Sequence, residues 1–184
     1  MSKGIQILFP GAEQIRRPAR RPLAARLDTL EGKRIGFVYN TFASIAVIHV
    51  EIQRVLATAR IRAVRQDKKY WRMLEPDQLG HLAENADAVI TGLGNTSPSV
   101  ACVVRDAVAL EMRGRPTVTF TTAYFEDLFS ETAAAEGMPD LRRVILPSSV
   151  EGLPDAALSE LGRSAVDHVV AALTRADAPA VVRV

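Results

Sequence analysis

The sequence predicts an α/β protein: a three-layer, doubly wound, mostly parallel sheet of about five strands in the flavodoxin-like order. Three observations carry that reading. Short runs rich in β-branched residues recur between longer segments whose apolar residues follow helical spacing, the alternation expected of a parallel sheet covered on both faces. The stretch from Asp87 to Gly94 opens with a short apolar run rich in β-branched residues, as in a parallel strand buried on both sides. Two of the runs, Arg34 to Asn40 and Asp87 to Gly94, end in polar turns rich in asparagine and hydroxyl residues, which lead directly into helical patterns. In an open sheet of this order the first and third strands flank the topological switch point, where such sheets bind ligands.

Taken in order, Gly4 to Pro10 reads as a short edge strand closed by Pro10 and Gly11. Arg16, Arg17, Arg20 and Arg21 follow, interleaved with Pro18 and Pro22. They read as an extended, solvated arm lying on the domain or on a neighbour, with an anion-binding arm as the competing reading. Arg34 to Asn40 is the first core strand and Ile45 to Ala59 a helix by period. Ile61 to Arg65 is a shorter strand running into the basic and aromatic stretch Gln66 to Arg72. Pro76 to Asn85 forms the next helix. In Asp87 to Gly94, Gly92 and Gly94 are expected to break the strand and turn the chain tightly. Val100, Val103, Val104, Ala107, Val108 and Leu110 then mark a helix, with Pro98 in its first turn. Pro116 to Thr122 is a strand, Ala123 to Glu136 a helix ended by Gly137 and Pro139. Arg143 to Pro147 is the last strand and Asp155 to Leu173 the last helix. The whole, residues 1–184, reads as a single domain with an N-terminal arm (1–30) and a C-terminal tail (175–184) that frames a partner surface or frays.

Bulk composition narrows the function classes. A chain of 184 residues with 48% hydrophobic and 24% charged residues is ordinary for a globular domain and unlike a disordered one. A formal charge of +2 gives no case for nucleic acid as a partner. No apolar run reaches membrane-span length and no signal-peptide pattern opens the chain, so no membrane partner and a cytoplasmic location are expected. The single cysteine excludes an intrachain disulfide framework. His49, His81 and His168 fall on three separate helices without metal spacing, so neither a metal site nor a cofactor is expected. The turn after the first strand lacks the glycine fingerprint of a dinucleotide site.

The candidate site is the turn after the third strand together with the neighbouring strand ends. Gly94, Asn95, Ser97, Thr121, Thr122, Ser148, Asn40 and Thr41 are the expected ligand-binding residues, and Thr96 and Ser99 the expected catalytic positions. Short polar side chains and free backbone N–H groups at a helix start suit an anion. The competing reading is that Thr96 or Ser97 simply caps the helix. Lys68, Lys69, Tyr70 and Arg72 either clamp an anionic substrate or stand as solvated loop charges. Cys102, among valines inside a helix, reads as a buried structural thiol.

Several stretches together resemble the UGSC-like family, small α/β proteins named for a selenocysteine- or cysteine-Gly-Ser-Cys motif. They are Ile7 to Pro10, Pro22 to Leu27, Leu30 to Phe37, Gly94 to Val118 and Leu146 to Leu153. Counting back from Asp106-Ala-Val, the motif falls on Thr96-Ser97-Pro98-Ser99, with oxygen at both positions where the family carries selenium or sulfur. An alcohol is not ionised near neutral pH and does no thiol–disulfide chemistry. A looser similarity links Gly94-Asn95-Thr96 to the Cys-Asn-Thr turn of the aspartate/glutamate racemase superfamily, again without the sulfur. These resemblances imply a small-molecule carboxylate or other anion as ligand. Two functions follow as expectations: a lyase- or isomerase-type enzyme acting on a small carboxylate-bearing metabolite, or a non-catalytic or regulatory subunit paired with a cysteine-bearing UGSC-like homologue. A homo-oligomer, or a hetero-oligomer with a homologous subunit, is expected in either case.

Overall fold

A computed structural model describes residues 18–184; the expected strand at Gly4–Pro10 and Arg16 and Arg17 of the arm lie outside the described residues. Six parallel strands, β1 (Arg34–Tyr39), β2 (Arg62–Asp67), β3 (Ala88–Gly94), β4 (Thr117–Thr122), β5 (Arg143–Leu146) and β6 (Val181–Arg183), stand in the order β2-β1-β3-β4-β5-β6. Five helices connect them: α1 (Ala43–Leu56), α2 (Pro76–Asn85), α3 (Ser97–Glu111), α4 (Glu126–Ala135) and α5 (Asp155–Thr174). The expected three-layer, flavodoxin-like arrangement is therefore present, with every strand pair parallel. Two expectations need correction. The sheet has six strands, and part of the C-terminal tail is the sixth: Val181–Arg183 pairs with Arg143–Ile145. A run of three residues is too short to show a strand period, so only the exposed edge of β5 gives it that conformation.

The two faces of the sheet bury different side chains of the same strands, as the period of two requires. Ile35, Phe37 and Tyr39 of β1 and Ala88 and Ile90 of β3 pack under α1 and α5 with Ile45, Ile48, Ile52, Val166 and Val169. Val38 and Val89 point the other way, to Leu82 of α2 and Leu110 of α3. The valines of α3 meet Phe129 and Ala133 of α4 in a third cluster. Fully burying each such aliphatic side chain contributes about 1.5–3 kcal/mol.

Residues 18–27 lie on the domain. Arg21 N–H donates to Gly137 O at 2.8 Å and Leu27 N–H to Leu173 O at 2.9 Å. At the amino edge of the sheet the buried Glu111 carboxylate ties this segment to β4. It accepts from Ala24 N at 2.6 Å, from both terminal nitrogens of Arg26, from Thr117 N at 2.6 Å and from Thr117 Oγ1 at 2.8 Å.

Candidate functional site

The β1–α1 turn sits at the switch point, and Asn40 decides its shape. The Asn40 side chain is fully buried. Its Nδ2 donates to Leu93 O at 2.9 Å and its Oδ1 accepts from Leu93 N at 3.0 Å. The amide thus extends the β1–β3 ladder beyond its last backbone pair, Phe37 and Ile90. Gly92 makes room for it, since a Cβ there would lie 2.5 Å from the Asn40 amide. Gly94 is likewise crowded by Val100 of α3 and Thr121 of β4. Both glycines lie inside β3 and serve close approach, not the tight turn expected of them. The strand irregularity falls between Ile90 and Leu93 in the pairing with β4.

Thr41 follows with φ of 67°, the left-handed region in which a β-branched residue is strained. Its hydroxyl donates to Asn40 O at 2.7 Å, and the residue is exposed at the crevice rim. At the start of α1 no side chain caps the helix, although the Ser44 hydroxyl one residue inside donates to the Glu151 carboxylate from the β5–α5 loop.

The β3–α3 turn is closed on itself. Thr96 is the N-cap of α3 and forms a reciprocal capping box with Ser99. Ser99 Oγ accepts from Asn95 N at 2.9 Å and Thr96 N at 2.8 Å, and Thr96 Oγ1 accepts from Ser99 N at 3.3 Å. The two hydroxyl oxygens are 3.0 Å apart, and the Ser99 hydroxyl is within 2.9 Å of Thr96 O. Ser99 is wholly buried, Thr96 and Asn95 are half-buried, and Ser97 and Pro98 are exposed. Thr121 Oγ1 donates to Gly94 O at 2.9 Å and Thr122 Oγ1 to Asn95 Oδ1 at 3.2 Å, so β4 pins the turn from the side. Ser148 stands exposed beyond β5. The structure therefore brings Gly94, Asn95, Thr96, Ser99, Thr121 and Thr122 into one internally bonded cluster, turns the Asn40 amide onto β3, and leaves Thr41, Ser97 and Ser148 at the rim.

The open concavity lies one step along, between the β1–α1 turn and the β2–α2 loop. It measures about 350 Å³, and its lining includes Thr41, the cations Lys68, Lys69 and Arg72, and the acids Asp67 and Glu75. Its loop stands on a buried carboxylate that sequence reading missed. Asp106 of α3 binds Lys68 Nζ and also accepts from Leu74 N at 2.8 Å, so one side chain holds both feet of residues 68–74. Lys68 and Asp106 side chains are each 2% exposed. Burial pushes the Asp106 carboxyl above its usual range, against the pull of Lys68 and the Leu74 N–H. The available signal was an acidic residue on the apolar face of α3, which among valines demands a buried partner. Between those feet Arg72 N–H donates to Lys69 O at 3.2 Å, a turn that sets Lys69 and Arg72 side by side at its base. Neither has a carboxylate within ion-pair distance among the described residues.

Cys102 is buried one helical turn before Asp106, and its thiol is held above the ordinary value chiefly by burial, the reverse of what a nucleophile needs. Among the described residues no three His, Cys, Asp or Glu side chains cluster so as to hold a metal, and no helix is long and apolar enough to cross a membrane.

Three solved structures share parts of this chain path. A diflavin flavoprotein A3 from Nostoc sp. matches at 12% identity over 78% of this chain and 94% of its own, with a TM-score of 0.48. An ABC transporter solute-binding protein from Agrobacterium vitis, bound with α-D-tagatopyranose, matches at 16% identity over 83% of this chain and 56% of its own, with a TM-score of 0.37. A LacI family transcriptional regulator from Arthrobacter sp. FB24, in complex with lactose, matches at 16% identity over 73% and 53%, with a TM-score of 0.35. None of the curated proteins matches the chain. The family model of the UGSC family matches residues 6–175, a span that takes in the Asn40 ladder extension, the Thr96–Ser99 cap and the Asp106-held loop, and the chain belongs to that family.

Proposed function

We propose that this chain binds a small carboxylate-bearing anion in the cleft between the β1–α1 turn and the β2–α2 loop, as a non-catalytic subunit paired with a cysteine-bearing UGSC homologue. The observation that carries the reading is a division of labour at the carboxyl rim. The hydroxyls at the motif positions, Thr96 and Ser99, are committed to capping α3, and the N–H groups of Asn95, Thr96 and Ser99 are spent on the same box. Lys69 and Arg72, by contrast, line an open concavity without an ion-pair partner among the described residues, because the two acids of its lining are engaged elsewhere: Asp67 by Arg65, and Glu75 in the capping box of α2. A carboxylate supplies the countercharge that these two cations lack, and guanidinium offers it a two-pronged grip.

Lyase- or isomerase-type turnover at Thr96 and Ser99 is the competing reading, and one set of samples separates the two. The purified chain is titrated calorimetrically with acetate, malonate and maleate. It is then incubated with each acid, alone and mixed with a cysteine-bearing family member, and followed by proton NMR with deuterium exchange. Saturable binding that Lys69→Gln/Arg72→Gln abolishes, with no proton exchange by the chain alone, is the expected result. Exchange or conversion by the chain alone that Ser99→Ala removes establishes the enzyme reading instead.

A further inference from the structure

Trp71 is the single tryptophan of the chain, and the fold leaves it 52% exposed beside the 49% exposed Met73. Burial of so large an apolar side chain is ordinarily favoured, so its display on a firmly held loop asks for a reason. The loop is not loose. Asp106 anchors its two ends, and the turn bond from Arg72 to Lys69 closes its base. At the tip the Tyr70 ring meets Trp71 edge to face, with centroids 4.6 Å apart and planes at 84°. Tyr70 rests in turn on Phe42 of the β1–α1 turn at 5.2 Å. The indole is therefore propped by a row of three aromatic residues that reaches from the strained Thr41 turn to the loop tip. Lys69 and Arg72, the cations at its base, flank it in sequence and line the cleft.

We infer that the Asp106-anchored loop Lys69–Met73 recognises an anion attached to a planar ring: Lys69 and Arg72 hold the acid, and Trp71 stacks on the ring. This rests on the reading of the cleft as an anion site and adds the class of group that the anion carries. An indole face favours flat, polarisable partners, and an aromatic contact of this kind is worth about a tenfold gain in affinity over the bare acid. Asp106 is a positioning residue: it touches no ligand and fixes where the loop stands.

The test uses the full chain and the emission of Trp71, which reports without a label. Phenylacetate, acetate and the neutral phenylacetamide are titrated by fluorescence and, in parallel, by calorimetry. Phenylacetate is expected to bind about tenfold more tightly than acetate and to change Trp71 emission, with phenylacetamide weaker than phenylacetate. Trp71→Leu, a change at an exposed site, levels phenylacetate with acetate and leaves acetate binding as it was. Asp106→Asn weakens both acids and lowers the fluorescence anisotropy of Trp71 in the free protein, a loosening that a purely structural pair elsewhere would not produce. Equal affinities for phenylacetate and acetate overturn the ring while the anion reading stands. Failure of both acids to bind overturns the anion reading and the inference with it. Phenylacetamide binding as tightly as phenylacetate overturns the pairing of ring and charge.

Discussion

His49 of α1 is wholly buried with neither ring nitrogen hydrogen-bonded. Phe37, Tyr39 and Phe120 surround it edge to face at 5.4, 5.0 and 6.2 Å, a setting that gives an imidazole N–H only weak π contacts. Burial lowers its pKa to about 3, with Arg65 adding repulsion. The sign follows from linkage. The unfolded chain binds this proton below about pH 6.5 and the folded one only near pH 3. Stability from the neutral ring is thus present above 6.5 and lost as the pH falls through that window. His49→Phe should flatten the loss, by a few kcal/mol in total at about 1.4 kcal/mol per unit, in urea titrations between pH 6.5 and 3.5. Unchanged pH dependence in the variant would count against the buried neutral ring. At the opposite edge, Glu111→Ala leaves Arg26 without its carboxylate in a buried setting. It should cost about 3–5 kcal/mol in denaturant midpoints, where a surface pair would cost under about 1. Neither role was legible in the sequence. His49 and Glu111 occupy ordinary helical positions, and what makes them consequential is the side chains that tertiary packing sets around them.

At the level of the element, the β1–β3 seam and the α3 cap show how a legible motif changes meaning. The glycines and hydroxyls from Gly92 to Ser99 stand out in the sequence as a turn built for a ligand. In the fold, Gly92 accommodates the Asn40 amide and Ser99 gathers two orphan N–H groups. Gly92→Ala should destabilise by about 1–3 kcal/mol through overpacking. Combining it with Asn40→Ala should cost less than the sum of the two, because the alanine then meets no amide; a double-mutant cycle in urea reads that coupling. Ser99→Ala strands the N–H groups of Asn95 and Thr96, a loss of about 1–3 kcal/mol that thermal unfolding shows as a lowered midpoint. A Ser99→Ala midpoint equal to that of the parent would return the hydroxyl to the list of groups free to act on a ligand. Helix starts and strand runs were readable because capping and periodicity are local. Which N–H groups a cap consumes was not, since that depends on the neighbouring chain.

For the molecule as a whole, the last crossover is the unusual one. The helices α2, α3 and α4 carry the chain from β2 to β5 on one face, whereas α5 joins α1 on the other before the chain enters β6 beside β5. The β5–α5–β6 connection thus has the hand opposite to the four before it, against a rule that about 98% of such crossovers obey. The short β6 is held by pairing with β5 and by Arg183 on Glu126 at 2.6 Å. Deleting residues 181–184 should uncover the β5 edge and produce concentration-dependent association in sedimentation velocity. A monodisperse truncated chain at all concentrations would show that β6 does not protect that edge.

Alternation of β-branched runs with amphipathic segments determined the layers, the parallel sheet and the order of its first five strands, because burial on one or both faces is written in residue spacing. The Asn40 ladder, the Asp106 foothold under residues 68–74 and the sixth strand were decided only by the folded chain. Each depends on groups that folding brings together from well-separated parts of the sequence, and no local pattern encodes such a meeting.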